Sequence, residues 1–119
     1  MERTSLRHRA SFLALSKTQT QFSGRFTIIL FSPAPSEGTP LAPTCQYGLT
    51  ASKKVGNAVA RNLGKRRVRA VLFPFIKKTN HLKSFSVVVI VKKKLLTGSF
   101  SLIAQEIEDA LGNFLSNTQ

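Results

Sequence analysis

Acidic residues are scarce in this chain: five Asp and Glu stand against eighteen Lys and Arg in 119 residues, a formal net charge of +13 at pH 7. Metal-dependent phosphodiester cleavage needs carboxylates gathered around one or two cations, and the five are poorly placed for that. Glu2 is at the terminus, Glu37 lies in a proline-rich stretch, and Glu106, Glu108 and Asp109 fall close together near the C-terminal end. His8 and His81 have no evident partner and read as surface residues rather than general bases. No catalytic residue and no metal ligand is expected. Cysteine is nearly absent too: Cys45 stands alone, which excludes an intrachain disulfide and makes a reducing cytoplasm the default compartment. Long apolar runs are missing near the N-terminus. After Arg3, Arg7 and Arg9 comes only Phe12-Leu13-Ala14-Leu15, too short for a secretory core or a membrane span. It suits one turn of a docked helix better than part of a transit peptide.

What is present is enough for a modest core, with 42% hydrophobic and 8% aromatic residues, and the length suits a single domain over 1–119. Residues 1–7 are expected to be flexible. Residues 8–16 form a short helical candidate, and the β-branched and aromatic residues of 25–32 read as a strand. Four of the five prolines fall between Pro33 and Cys45, so 33–45 is expected to be a mobile loop. Residues 46–52 resume as a strand, in which Tyr47, Leu49 and Ala51 alternate with the small or polar Gly48, Thr50 and Ser52. A helix is predicted from Asn57, a good N-cap, to Phe73, with Pro74 as its stop. Residues 85–91 (Phe-Ser-Val-Val-Val-Ile-Val) are the strongest strand, apolar enough to be covered on both faces. Ile103, Ile107, Ala110, Leu111 and Phe114 make one stripe on a last helix over about 99–115. This order implies an α/β (α+β) two-layer sandwich, a mixed sheet of about four strands with helices packed on it.

The charge excess implies a polyanionic partner, because a surface this basic repels itself until something neutralises it. Nucleic acid ranks first. An anionic membrane ranks lower, since it would need a basic helix inserting its other face into lipid while a domain of this size needs its apolar residues inside. Between Lys53 and Arg69 there are seven basic residues and no acid: Lys53, Lys54, Arg61, Lys65, Arg66, Arg67 and Arg69. At about 100° per residue, Arg61, Lys65 and Arg69 share a band with Asn62 and Arg66 beside it, and Val59, Ala60, Leu63 and Val71 are expected on the buried side. A solubility face interleaves both signs and gains i,i+4 pairs from doing so. This one does not, and it suits phosphates. The Lys53 and Lys54 ammoniums just ahead of a helix N-terminus point the same way.

Residues 51–69 (Ala-Ser-Lys-Lys-Val-Gly-Asn-Ala-Val-Ala-Arg-Asn-Leu-Gly-Lys-Arg-Arg-Val-Arg) closely resemble the signature of the bacterial ribonuclease P protein component family. The lysine pair, the Gly56-Asn57-Ala58-Val59 turn, Arg61-Asn62 and Lys65-Arg66 fall at that family's spacings. Phe12, Gly48-Leu49 and the valine-rich strand ending in Lys92 extend the resemblance over nearly the whole chain. It implies a sandwich whose β-α-β crossover is left-handed, against the general rule. It also implies a protein subunit that binds a catalytic ribonuclease P RNA and the 5′ leader of precursor transfer RNA, assisting removal of the leader while RNA carries the catalysis. The RNA-binding residues so implied are Lys53, Lys54, Asn57, Arg61, Asn62, Lys65, Arg66 and Arg69, with Phe12 and Lys92 in the leader cleft. Mg2+ would be held mainly by RNA and substrate, with Asn57 near a bound cation; no membrane and no small-molecule substrate is implied.

Three positions depart from the family, which usually carries Arg where this chain has Leu63, a branched aliphatic at Gly64 and an aliphatic at Arg67. Gly64 costs about 1 kcal/mol against Ala in a helix interior unless something approaches closely there, and Arg67 must snorkel or find a partner. The aromatic that often follows Phe12 by one turn is Ser16 here, which weakens stacking on an unpaired base. Phe12 itself fits core packing and leader stacking equally well. The competing reading is another basic RNA-binding protein, ribosomal or an assembly factor, and behind it a module for acidic proteins or membranes.

Overall fold

The computed structural model describes residues 1–17 and 20–118. It runs β1 (Glu2–Ser5), α1 (Arg9–Ser16), β2 (Gln21–Ser23), β3 (Thr27–Ser32), β4 (Thr44–Thr50), α2 (Ala58–Lys78), β5 (Phe85–Val91) and α3 (Phe100–Ser116), with a single 3-10 turn at Lys93–Leu96. The five strands form one sheet in the order β1-β4-β5-β3-β2. β4 pairs parallel with both β1 and β5, whereas β3 pairs antiparallel with β5 and β2. The valine-rich β5 takes the central place that its continuous apolar run predicts, and six of its seven residues are buried.

Period-2 alternation divides the sheet's side chains between two faces. Ile29, Phe31, Val87 and Val89 face α2 and α3, packing with Val68, Leu72, Ile103, Ile107 and Leu111. Phe31 stacks on Phe114 of α3 with ring centroids 4.9 Å apart. Sheet and helix pair form the expected α/β sandwich. On the other face Leu30 and Val88 pack with Leu6 and Leu15, so that α1 lies across the sheet with its half-buried Phe12.

Several expectations are corrected. Two edge strands escaped the sequence reading: β1, from residues expected to be flexible, and the three-residue β2. β1 is exposed throughout, so its Glu-Arg-Thr-Ser carries no apolar alternation, and backbone pairing with β4 holds it instead. Helix α2 runs through Pro74 to Lys78. An internal proline costs about 3 kcal/mol, but Pro74 is exposed, where water can serve the freed carbonyl, and Ile76 beyond it is buried in the core. The first part of the proline-rich loop, residues 34–37, is tied down. Gln46 Oε1 accepts from the backbone N–H of Ser36 at 2.7 Å and of Glu37 at 2.8 Å, and Ser36 Oγ donates to Ser86 Oγ. His81 is not a surface residue: it is buried with its ring edge-on to Phe85, and its Nδ1 has no hydrogen-bond partner among the described residues.

Candidate nucleic-acid interface

The basic segment begins with a tight turn. Val55 and Gly56 donate their N–H groups to the carbonyls of Ser52 and Lys53, and the buried Val55 pins the turn to the core. Lys53 and Lys54 are thereby left exposed. Gly56 has φ +149°, a backbone conformation that residues with a Cβ rarely adopt. Asn57 follows as the N-cap of α2, its Oδ1 accepting from the Ala60 N–H at 2.9 Å. Expectation and structure agree there.

The phase of α2 differs from expectation. Its buried residues are Gly64, Val68, Val71, Leu72 and Ile76, while Val59 is 77% exposed. The strongly apolar second half of the helix, which extends past Pro74, sets the face that meets the sheet. Extrapolated back at about 100° per residue, that face passes through Gly64 and not through Val59. The outward band is therefore Asn62, Arg66 and Arg69, all exposed, whereas Arg61 and Lys65 lie half-buried on its flank. At Gly64 α2 lies close against the sheet: a Cβ there would meet Val91 Cγ1 at 2.9 Å. Arg67 finds partners within the fold. Its Nη1 donates to the carbonyls of Leu95 at 2.6 Å and Leu96 at 3.1 Å, and its Nη2 to that of Gly98 at 2.7 Å, so it caps the end of the 3-10 turn and does not join the outward cations.

The second part of the site lies on the α1 face of the sheet, where successive cross-strand rows have different covers. Gln46 and Ser86 lie under the 33–37 segment through their hydrogen bonds. Gly48, Val88 and Leu30 lie under α1, and the absence of a Cβ at Gly48 makes room for the Phe12 ring, which would otherwise meet it at 2.5 Å. The next row, Thr50, Ile90 and Ile28, is only half-buried. Ile28 and Ile90 line a groove of about 250 Å3 with Ser52, Lys54, Lys92 and Lys93. Lys92 Nζ donates to Ser23 Oγ at 3.2 Å and also to the Gly24 carbonyl, which orients it at the groove's end. The groove is apolar in its floor and cationic at its rim, a form that suits an unpaired nucleotide strand. Ile28 and Ile90 were missed in the sequence because their apolar strands read as covered along their whole length, and Ser52 because it read only as part of a small or polar strand face.

Among the described residues no cluster of three or more His, Cys, Asp or Glu is placed to hold a metal ion. No helix among them is long and apolar enough to cross a membrane.

A family model described as Ribonuclease P matches residues 1–115. The chain belongs to the bacterial ribonuclease P protein family. It is 36% identical over 110 residues to the ribonuclease P protein component of Paramagnetospirillum magneticum, a match covering 89% of this chain and 78% of the relative. The corresponding protein of Micrococcus luteus is 32% identical over 111 residues, covering 89% and 83%. Among solved structures, the ribonuclease P protein of Thermotoga maritima is similar at 27% identity and a TM-score of 0.64, with 97% of each chain covered. That of Staphylococcus aureus, at 24% identity, shares the fold with a TM-score of 0.70 over 91% of this chain and 92% of its own. The matched region takes in the acid-free segment 53–69, which forms the turn and outer band just described.

Proposed function

We propose that this chain acts as the protein subunit of the ribonuclease P ribonucleoprotein through two adjoining surfaces. The Lys53-Lys54 turn and the outer band of α2, with Asn57, Asn62, Arg66 and Arg69 and with Arg61 and Lys65 on its flank, hold the catalytic RNA. The groove beside α1, with Phe12 and Lys92, holds the single-stranded 5′ leader of precursor transfer RNA. The observation that carries this reading is a helix whose solvent face is cationic and free of acids, in a chain of this family. Enzyme RNA and substrate RNA are both polyanions, and bringing them together costs electrostatic work that bound cations reduce. A protein of net charge +13 supplies part of that charge in fixed positions, which lowers the magnesium the RNAs need. Mg2+ for the hydrolysis is held by RNA and substrate, and the protein's own part is to bind and orient. The compartment is the bacterial cytoplasm.

The test is to add the protein to a bacterial ribonuclease P RNA transcript at magnesium concentrations too low for RNA-alone cleavage and to follow release of the 5′ leader. Cleavage should appear only with both components present. Metal-dependent leader release by the protein without RNA, or no effect of the protein on the RNA's magnesium requirement, would overturn the reading.

A further inference from the structure

Val59 stands on the solvent side of α2 although the helix buries a different face. With Asn62, Leu63, Arg66 and Arg69 it lines a surface depression of about 560 Å3. Leu63 is half-buried beside it, so the depression offers two aliphatic side chains in the middle of a cationic face. An aliphatic side chain cannot neutralise a phosphate, and pressing one against a hydrated phosphate is unfavourable. The component of RNA that matches an apolar floor is the face of a base. The surroundings agree: two guanidinium groups beside the floor suit the phosphates on either side of such a nucleotide, and the Asn62 amide has both a donor and an acceptor for a base edge.

Building on the RNA-binding reading above, we propose that this depression is a nucleobase subsite, in which one unstacked base of the ribonuclease P RNA lies on Val59 and Leu63 while Arg66 and Arg69 hold the adjacent phosphates. Apolar burial releases no counterions, whereas each neutralised phosphate does, so the two kinds of contact separate in a salt titration. Affinity for a bacterial ribonuclease P RNA transcript is measured across a potassium chloride series for the wild type, Val59→Ser, Leu63→Ser, Leu63→Arg and Arg66→Ala. Val59→Ser and Leu63→Ser should each weaken binding about fivefold with the log–log slope unchanged. Arg66→Ala should reduce the slope by about one, and Leu63→Arg should steepen it by about one. Val59 is exposed enough that its replacement leaves the core untouched, so that variant decides the matter if Leu63→Ser unfolds. Wild-type affinity in Val59→Ser, or a loss accompanied by a changed slope, would overturn the subsite while leaving the RNA-binding reading standing. A wild-type slope near zero would overturn both. Loss of binding to phosphatidylserine vesicles in Val59→Ser, with RNA affinity unchanged, would assign the depression to a lipid surface instead.

Discussion

At the scale of single residues, the Glu37 carboxylate joins the proline-rich loop to the start of α1. It accepts from the backbone N–H of His8 at 2.9 Å and from that of Arg7 at 3.0 Å. These bonds, the His8 one foremost, hold its pKa below the usual carboxylate value. A carboxylate with a depressed folded-state pKa stabilises the fold above the ordinary carboxylate range and loses that contribution as pH falls through its folded-state value. Thermal unfolding of wild type and Glu37→Gln should therefore differ at neutral pH, with the wild type higher, and converge as pH is lowered through and beneath the carboxylate range. A pH-independent difference would mean the ionised form is not what matters. The sequence showed Glu37 only as an acid in a loop, because its partners lie about 30 residues away. Cys45 is legible in the opposite sense: a lone cysteine excludes an intrachain disulfide, but only burial, which pushes its thiol up to about 12, shows that it is inert as a thiolate.

Elements are where the sequence reading and the structure differ most, and helix α2 shows why. Its start was legible, because Asn57 caps locally. Its phase and its end were not, since both depend on Ile76 reaching the core beyond a proline. The corrected phase divides the basic block by role. Replacing Arg66 and Arg69 together by Ala should flatten the salt dependence of RNA binding by about two in the log–log slope and leave helicity intact, because Ala favours helix. Arg67→Met should leave the slope unchanged and instead lower stability by about 1–3 kcal/mol, since it strips donors from three carbonyls at the 3-10 turn. Circular dichroism melts and filter binding on the same preparations check both. If Arg67→Met flattens the slope, Arg67 meets RNA and the division is wrong.

At the scale of the whole molecule, the two surfaces belong to opposite faces of one sheet. α2 lies on one face and α1 with Phe12 on the other, and the Lys53-Lys54 turn is shared by the block and the groove. Assembly and leader binding should therefore separate by mutation. Phe12→Leu keeps most of the apolar volume over Gly48 but removes the ring. It should preserve affinity for the catalytic RNA while narrowing the preference for precursor over mature transfer RNA, with both affinities measured independently. Loss of both together without unfolding would place Phe12 in the assembly surface.

The sequence by itself determined the fold class, the central strand, the excess of positive charge and the family, because these follow from local composition, periodicity and a contiguous motif. It also marked Gly64 and Arg67 as positions needing an explanation. Tertiary structure alone supplied the explanations, with Val91 packed against Gly64 and three carbonyls gathered on Arg67. It also decided which cations face outward, what covers each row of the sheet, and that two short edge strands complete it. Those outcomes depend on residues far apart in the chain. A helix takes its phase from the face that gains most by burial, and an edge strand of polar residues exists only because a neighbour offers its backbone.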